Sequence, residues 1–192
     1  GCVHHDVAAA DRQPRICVSE SEALVPKGLA LASQAWLAQD REGRSRAPSD
    51  CPAARFNPEP IVVFVVQEGE RNFVDQRLLM ESLKANEQVE SRRLTLRELN
   101  ACMRLVPTDG VDYSRGLNAL LTLDVLAADD NTTTTGPPRI ECRYASVFYF
   151  RSTYDINDFH VGPEFTWKTR ETLERSSAIK SPSLLVQLCG MK

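Results

Sequence analysis

Two short stretches concentrate the groups that could recognise a small anionic ligand. One is Gln67-Glu68-Gly69-Glu70-Arg71-Asn72, continuing to Asp75-Gln76-Arg77; the other is Arg151-Ser152-Thr153-Tyr154. Arginine forks match carboxylates bidentately, and amides and phenol hydroxyls read peptide N–H and C=O groups. That set suits a small anionic peptide or amino-acid derivative. The competing reading is that arginines and glutamates after a strand are solvated or form surface ion pairs worth little. No catalytic set is evident. His160 is the only histidine outside the terminal pair His4-His5, so no Ser-His-Asp arrangement can be drawn, and neither a G-x-G-x-x-G nor a Walker-type phosphate loop is present. His160 reads as a loop residue. His4-His5, adjacent in a polar terminus, read as solvated rather than metal-binding. No catalytic and no metal-ligating residue is assigned.

The segments before these stretches should position them. Ile61-Val62-Val63-Phe64-Val65-Val66 is continuous, β-branched and preceded by Pro60, the pattern of a strand buried on both faces of a parallel sheet. Residues 73–85 follow with Val74, Leu78, Leu79 and Leu83 at helical spacing, Asn72 as a candidate cap and Asp75 in the first turn, where a carboxylate suits the helix dipole. Residues 89–94 read as a second strand. Thr95-Leu-Arg-Glu98 is a capping box opening a short helix through Met103. Residues 145–150 read as a third strand. Strands alternating with helices imply parallel pairing through crossovers, and in such sheets ligands bind beyond the carboxyl ends of the strands at a switch point. If the first strand lies between the other two, both stretches meet at one edge.

The remaining chain frames this unit. Residues 19–39 read as a helix whose apolar face holds Leu24, Leu29, Leu31, Ala32, Ala35, Trp36 and Leu37, with Pro26-Lys27-Gly28 loosening its start. Residues 40–60, polar and proline-rich, read as a surface linker or insertion. Residues 106–139 break the rhythm: 120–126 fit a strand or a short helix, and Asp129 to Pro138 make a polar loop. Residues 164–177 read as a helix burying Phe165, Trp167, Leu173 and Ala178. A last helix spans 183–188, with Pro182 at a position that tolerates a missing N–H and Gly190 ending it.

Composition narrows the partners. The 192 residues carry 23 Lys+Arg against 26 Asp+Glu, a net charge of −3, which argues against nucleic acid as a main partner. An apolar share of 42% is enough for a core, and no run approaches the roughly 18 apolar residues of a membrane span. The six cysteines are far apart with no C-x-x-C pair, and Cys102 and Cys142 read as small buried hydrophobes. With no secretory signal visible, a reducing, cytoplasmic compartment is expected. The chain opens on Gly1 and closes on Lys192, which raises the expectation of a piece of something longer.

With these motifs in place the sequence resembles eukaryotic-type glutathione synthetase, in its substrate-binding domain. The resemblance rests on residues 26–32 (Pro-Lys-Gly-Leu-Ala-Leu-Ala) with Ala35-Trp36, and on Val65-Val66-Gln67-Glu68-x-Glu70-Arg71-Asn72-x-x-Asp75-Gln76-Arg77. It continues with Arg92-Arg93-x-Thr95, Tyr149-Phe150-Arg151-x-x-Tyr154, Trp167-x-x-Arg170-x-x-Leu-Glu174-Arg175-Ser176, Pro182 and Gln187-Leu188-x-Gly190-x-Lys192. It implies an α/β fold: a three-layer α/β/α domain with a mainly parallel, Rossmann-like (pre-ATP-grasp) sheet over residues 24–192. Insertions fall near 38–60 and 106–140, and residues 1–23 are unassigned.

The implied activity is joining γ-glutamylcysteine to glycine with ATP and magnesium, through an acyl phosphate on the cysteinyl carboxylate. Glu70, Arg71, Asn72 and Gln76 fall on the family's γ-glutamylcysteine positions, and Arg151, Ser152, Thr153 and Tyr154 on its second substrate loop. Lys192 falls on a lysine that contacts ATP. The resemblance also suggests a homodimer for the full-length protein, with no membrane or nucleic-acid partner. The family's magnesium-binding acids and glycine-rich phosphate loop have no counterpart here, so an isolated chain is expected to be inactive. One departure falls in the second loop: Thr153 stands where the family usually has glycine, and a positive φ there would strain a threonine. The alternative reading is a non-catalytic binding module that kept this fold without the ATP-grasp part. An unrelated doubly wound enzyme would require the two loops to point apart.

Overall fold

The computed structural model describes residues 20–49, 51–71, 73–107, 117–124, 140–155 and 165–190. Its strands are β1 (Phe56–Val66), β2 (Ser91–Thr95), β3 (Met103–Val106), β4 (Asn118–Asp124), β5 (Ile140–Phe150) and β6 (Ile179–Ser181). Its helices are α1 (Ser21–Gln39), α2 (Arg41–Arg44), α3 (Val74–Glu87), α4 (Leu96–Cys102), α5 (Phe165–Arg175) and α6 (Leu184–Gly190). The strands form one sheet in the order β2-β1-β5-β4-β3, with β6 pairing β5 beside β4. β1 pairs in parallel with both β2 and β5, and β6 is parallel to β5, whereas β4 is antiparallel to β5 and to β3.

The uninterrupted apolar run of Ile61 to Val66 follows from this order. β1 is an inner strand, and all six residues are buried. On one face Val62, Phe64, Val66 and Val147 pack against Leu29 and Ala30 of α1 and Leu83 of α3. On the other, Val63, Val65, Phe148 and Phe150 pack against Leu99 of α4 and Leu173 of α5. Helices on both faces of a sheet with a parallel centre make the expected three-layer α/β/α arrangement. Each large apolar side chain so buried stabilises the fold by roughly 1.5–3 kcal/mol.

Local chemistry explains several boundaries. Thr95 ends β2 and caps α4: its Oγ1 accepts from the Glu98 N–H at 3.2 Å, while its own N–H donates to Glu98 Oε2 at 2.7 Å. The expected capping box is therefore present. In β5 the register with β1 slips between Ile61↔Ala145 and Val62↔Val147, leaving Ser146 as an extra residue. The Ser146 hydroxyl fastens that bulge, at 3.1 Å from the Ile61 carbonyl and 2.7 Å from Ser33 Oγ of α1.

Several expectations need correction. The 40–60 stretch is not simply a linker: it holds α2 and the first half of β1, and Pro58 and Pro60 sit where the β1–β5 register is irregular, a place that tolerates missing donors. Arg44 of α2 is buried with its guanidinium 3.8 Å above the Trp36 ring, and burial lowers its pKa. On α1, Leu29 and Trp36 are buried, but Leu24 and Leu31 are more than half exposed and Ala35 is exposed. Leu31 lies roughly 200° round the helix from Leu29, off the packed stripe. Residues 120–124 are strand, within β4, and 125 and 126 lie outside the described residues. The edge strand β3 and the three-residue β6 were not expected. Trp167 of α5 is half exposed, while Leu173 and Ala178 are buried as expected. α3 begins at Val74, and Phe73 at its N-cap position makes no side-chain cap bond; Asn72 lies outside the described residues, as do His4, His5, His160 and Lys192. Among the described residues no helix is long and apolar enough to cross a membrane.

Candidate ligand-binding site

Strands β1, β2 and β5 finish level. Val66 of β1 is opposite Thr95 of β2, and Val65 is opposite Phe150 of β5. Because β1 lies between β2 and β5, the loop after β1 and the loop after β5 share one sheet edge. The backbone fixes them to each other: the Arg151 N–H donates to the Val65 carbonyl at 2.8 Å, and Ser152 Oγ donates to the same carbonyl at 3.1 Å. The loops do not point apart.

The first loop turns at Gly69, whose φ of 68° is left-handed and suits glycine. Glu68 pairs with Arg97 of α4 at 2.8 Å, anchoring the loop on the β2 side. Glu70 is half-buried, and Arg71 is exposed with no ion-pair partner among the described residues. Gln76 is buried under the loop, and its Oε1 accepts from Arg93 Nε at 2.8 Å. Arg93 is opposite Phe64 in the register, so this bond ties α3 to β2 above the end of β1. Arg77 pairs with Glu81 at 2.8 Å on the exposed side of α3.

The second loop is more enclosed. Arg151 does not offer a free guanidinium: its Nη2 lies 2.5 Å from Asp75 Oδ2 in the first turn of α3. Partial burial alone would lower the Arg151 pKa, but the Tyr149 hydroxyl and the Asp75 carboxylate outweigh it and raise the pKa. Tyr149 is held edge-on to Phe64, ring centres 5.2 Å apart. Tyr154 is exposed, with its hydroxyl donating to the Phe150 carbonyl at 3.1 Å. Its pKa is raised, chiefly by burial of the hydroxyl; Arg151 opposes the shift, and Tyr149, Glu70 and Asp75 add to it. Glu70, Asp75, Tyr149, Arg151 and Tyr154 thus share one electrostatic neighbourhood. Ser152 and Thr153 are buried, and Thr153 adopts a φ of 63°, the left-handed conformation that strains a β-branched residue. Beneath the loop, the Phe150 ring lies 4.2 Å from the guanidinium of buried Arg170. A groove of about 740 Å³ between α1 and α3 counts Asp75, Tyr149 and Arg151 among its walls.

The structure therefore gathers Glu70, Arg71, Gln76 and residues 151–154 at one edge, with Asn72 and Lys192 outside the described residues. Asp75 as the partner of Arg151, and Arg93 as the partner of Gln76, were not anticipated. Asp75 had a local explanation as a helix-dipole carboxylate, and Arg93 signalled itself only as part of the Arg92-Arg93-x-Thr95 motif. Among the described residues no three His, Cys, Asp or Glu side chains converge, and no metal-ligand role is assigned to them.

An α/β/α domain with polar loops paired at the ends of its parallel strands has the architecture of a small-ligand-binding unit. The family model described as "Eukaryotic glutathione synthase" matches residues 60–189. Named relatives agree. The chain is 31% identical over 132 residues to "Glutathione synthetase" of Dictyostelium discoideum, covering 69% of this chain and 22% of the relative. It is 34% identical over 136 residues to "Glutathione synthetase, chloroplastic" of Solanum lycopersicum, covering 71% and 20%. It is 30% identical over 139 residues to "Glutathione synthetase large chain" of Schizosaccharomyces pombe, covering 72% and 23%. The chain belongs to the eukaryotic glutathione synthase family, and it spans about a fifth of the length of the curated relatives it matches.

Proposed function

We propose that this chain supplies the γ-glutamylcysteine-binding face of a glutathione synthetase. The observation that supports the reading is the meeting of the two loops across the end of β1, one carrying Arg71, exposed and without an ion-pair partner among the described residues, the other the Arg151–Asp75 pair. γ-Glutamylcysteine presents two carboxylates, an ammonium and an amide. Among the described residues of the two loops, Arg71 is a cation without an ion-pair partner, able to take a carboxylate bidentately. Glu70 lies in the same neighbourhood as an acceptor for the ammonium, and Asn72 belongs to the same loop. Gln76, with Oε1 committed to Arg93, offers its Nε2 donors. Residues 151–154 wall the opposite side, and Tyr154 closes it with an exposed ring.

In the full-length ligase, ATP with magnesium would supply the phosphoryl group that activates the cysteinyl carboxylate for the glycine amine, with ADP and phosphate as the leaving groups. Lys192 is the residue of this chain assigned to ATP. The contribution of the described residues is to bind and orient γ-glutamylcysteine. The isolated chain therefore binds but does not turn over, and the whole enzyme acts as a cytoplasmic homodimer.

Calorimetric titration of the chain with γ-glutamylcysteine tests this. Binding is expected, and Arg71→Ala weakens it by on the order of 2 kcal/mol, about thirtyfold, through loss of charge-assisted hydrogen bonds. No heat of binding at millimolar ligand overturns the reading; unchanged affinity in Arg71→Ala removes Arg71 from the site.

A further inference from the structure

Thr153 makes a contact that the binding reading does not use. Its side chain is buried rather than turned to solvent, and Gln187 Nε2 of α6 donates to Thr153 Oγ1 at 3.5 Å. Thr153 Oγ1 in turn donates to the Ser152 carbonyl at 2.5 Å, and Ser152 Oγ donates to the Val65 carbonyl. A continuous chain of hydrogen bonds thus runs from α6 through the second loop to the end of β1. Neither end of the Gln187–Thr153 link is favourable for stability by itself. Thr153 carries the strain of a left-handed backbone at φ 63°. Gln187 is buried, and its Oε1 has no hydrogen-bond partner among the described residues, a group that costs free energy to keep out of water.

We propose that Thr153 and Gln187 form a latch that holds residues 151–154 in their left-handed turn and couples the placement of α6 to the ligand-binding edge. Gln187 is a positioning residue that acts on the ligand through the loop of Arg151 and Tyr154, and Thr153 is the residue of that loop it holds. The proposal rests on the binding reading above and extends it. Its consequence is that stability and binding are set against each other at Gln187. Glycine at 153 relieves the strained φ while removing the hydroxyl. Methionine at 187 removes the orphaned acceptor while keeping the side chain's length.

The test measures melting temperature, γ-glutamylcysteine affinity and amide exchange on the full 192-residue chain. Gln187→Met is expected to keep or raise the melting temperature while weakening binding about fivefold to tenfold, whereas Thr153→Gly, which adopts the turn without a latch, is expected to keep both. In the Thr153→Gly background Gln187→Met is expected to cost no further affinity, because the turn no longer needs the latch. Thr153→Ser retains the hydroxyl and restores wild-type affinity; Thr153→Val does not. Affinity and melting temperature falling together in all variants, with no rescue by serine, would reduce the pair to ordinary packing and overturn the latch. If the wild-type chain does not bind γ-glutamylcysteine at all, the function proposed above fails instead, and amide exchange still judges the latch. Faster exchange at residues 152–154 in Gln187→Met, with Val63 and Phe148 unchanged, supports it; identical exchange at 152–154 overturns it.

Discussion

Asp75 and Arg151, 76 positions apart in the chain, meet at 2.5 Å where the first turn of α3 crosses the end of β5. The pair sets the direction of the guanidinium before any ligand arrives. Asp75 Oδ1 remains buried without a hydrogen-bond partner, so the carboxylate is committed to this one contact among the described residues. Replacing Asp75 by Asn keeps the shape and removes the charge. Both side chains are partly exposed, so the stability loss is expected to stay within about 1 kcal/mol. Binding of γ-glutamylcysteine should weaken about tenfold, because Arg151 loses its fixed orientation. Thermal melting and calorimetry on the same variant separate the two; unchanged affinity would show that Arg151 is not oriented for the ligand.

Arg71 should behave in the opposite sense to a structural residue. It is exposed and has no ion-pair partner among the described residues, so Arg71→Ala is expected to leave the melting temperature unchanged while lowering affinity. Arg71→Lys keeps the charge and loses the bidentate fork, and its affinity should fall between the two. A drop in melting temperature comparable to a core substitution would place Arg71 in the fold rather than at the site.

The packing of α3 yields a contrast within one helix. Leu83 is fully buried against the β1 side of the sheet, whereas Leu78, five residues earlier, is half exposed along the groove facing α1. Leu83→Ala should cost about 2–5 kcal/mol in chemical denaturation. Leu78→Ala should cost within about 0.5 kcal/mol, as a surface change. Equal costs would contradict the placement of α3.

Cys102, half-buried at the end of α4, has its thiol pushed up to about 11, first by burial and then by Glu98. A raised acid pKa means the folded state favours the neutral thiol. Its contribution to stability is therefore fully present below the ordinary thiol pKa and is lost as pH rises through the folded value, in the window from about 9 to about 11. At pH 8, iodoacetamide should label exposed Cys189 well ahead of Cys102, read by mass spectrometry after brief exposure. Labelling of Cys102 first would overturn its assigned burial.

Much of this architecture was visible in the residues because it rests on local chemistry. The Ile61 to Val66 run announces a strand covered on both faces, and Thr95 with Glu98 announces a cap. β3 and β6 leave no such trace: strands of four and three residues carry no period, and they form because β4 and β5 offer them a partner. The loops of the candidate site were legible as composition, but the Asp75–Arg151 and Gln76–Arg93 pairs were not. Each joins residues far apart in sequence, and each partner had a sufficient local explanation of its own. Thr153 is intermediate: its strained φ was foreseeable from the glycine usual at that place in the family, while the Gln187 contact required the fold.

On the proposed function, the edge formed by residues 67–76 and 151–154 binds γ-glutamylcysteine. Titrating the isotopically labelled chain with γ-glutamylcysteine and following backbone amide shifts by NMR tests it most directly. Saturable shifts concentrated at residues 67–76 and 151–154, weakened in Arg71→Ala, are the expected result. Saturable shifts centred elsewhere, or none at ligand concentrations in the millimolar range, would contradict it.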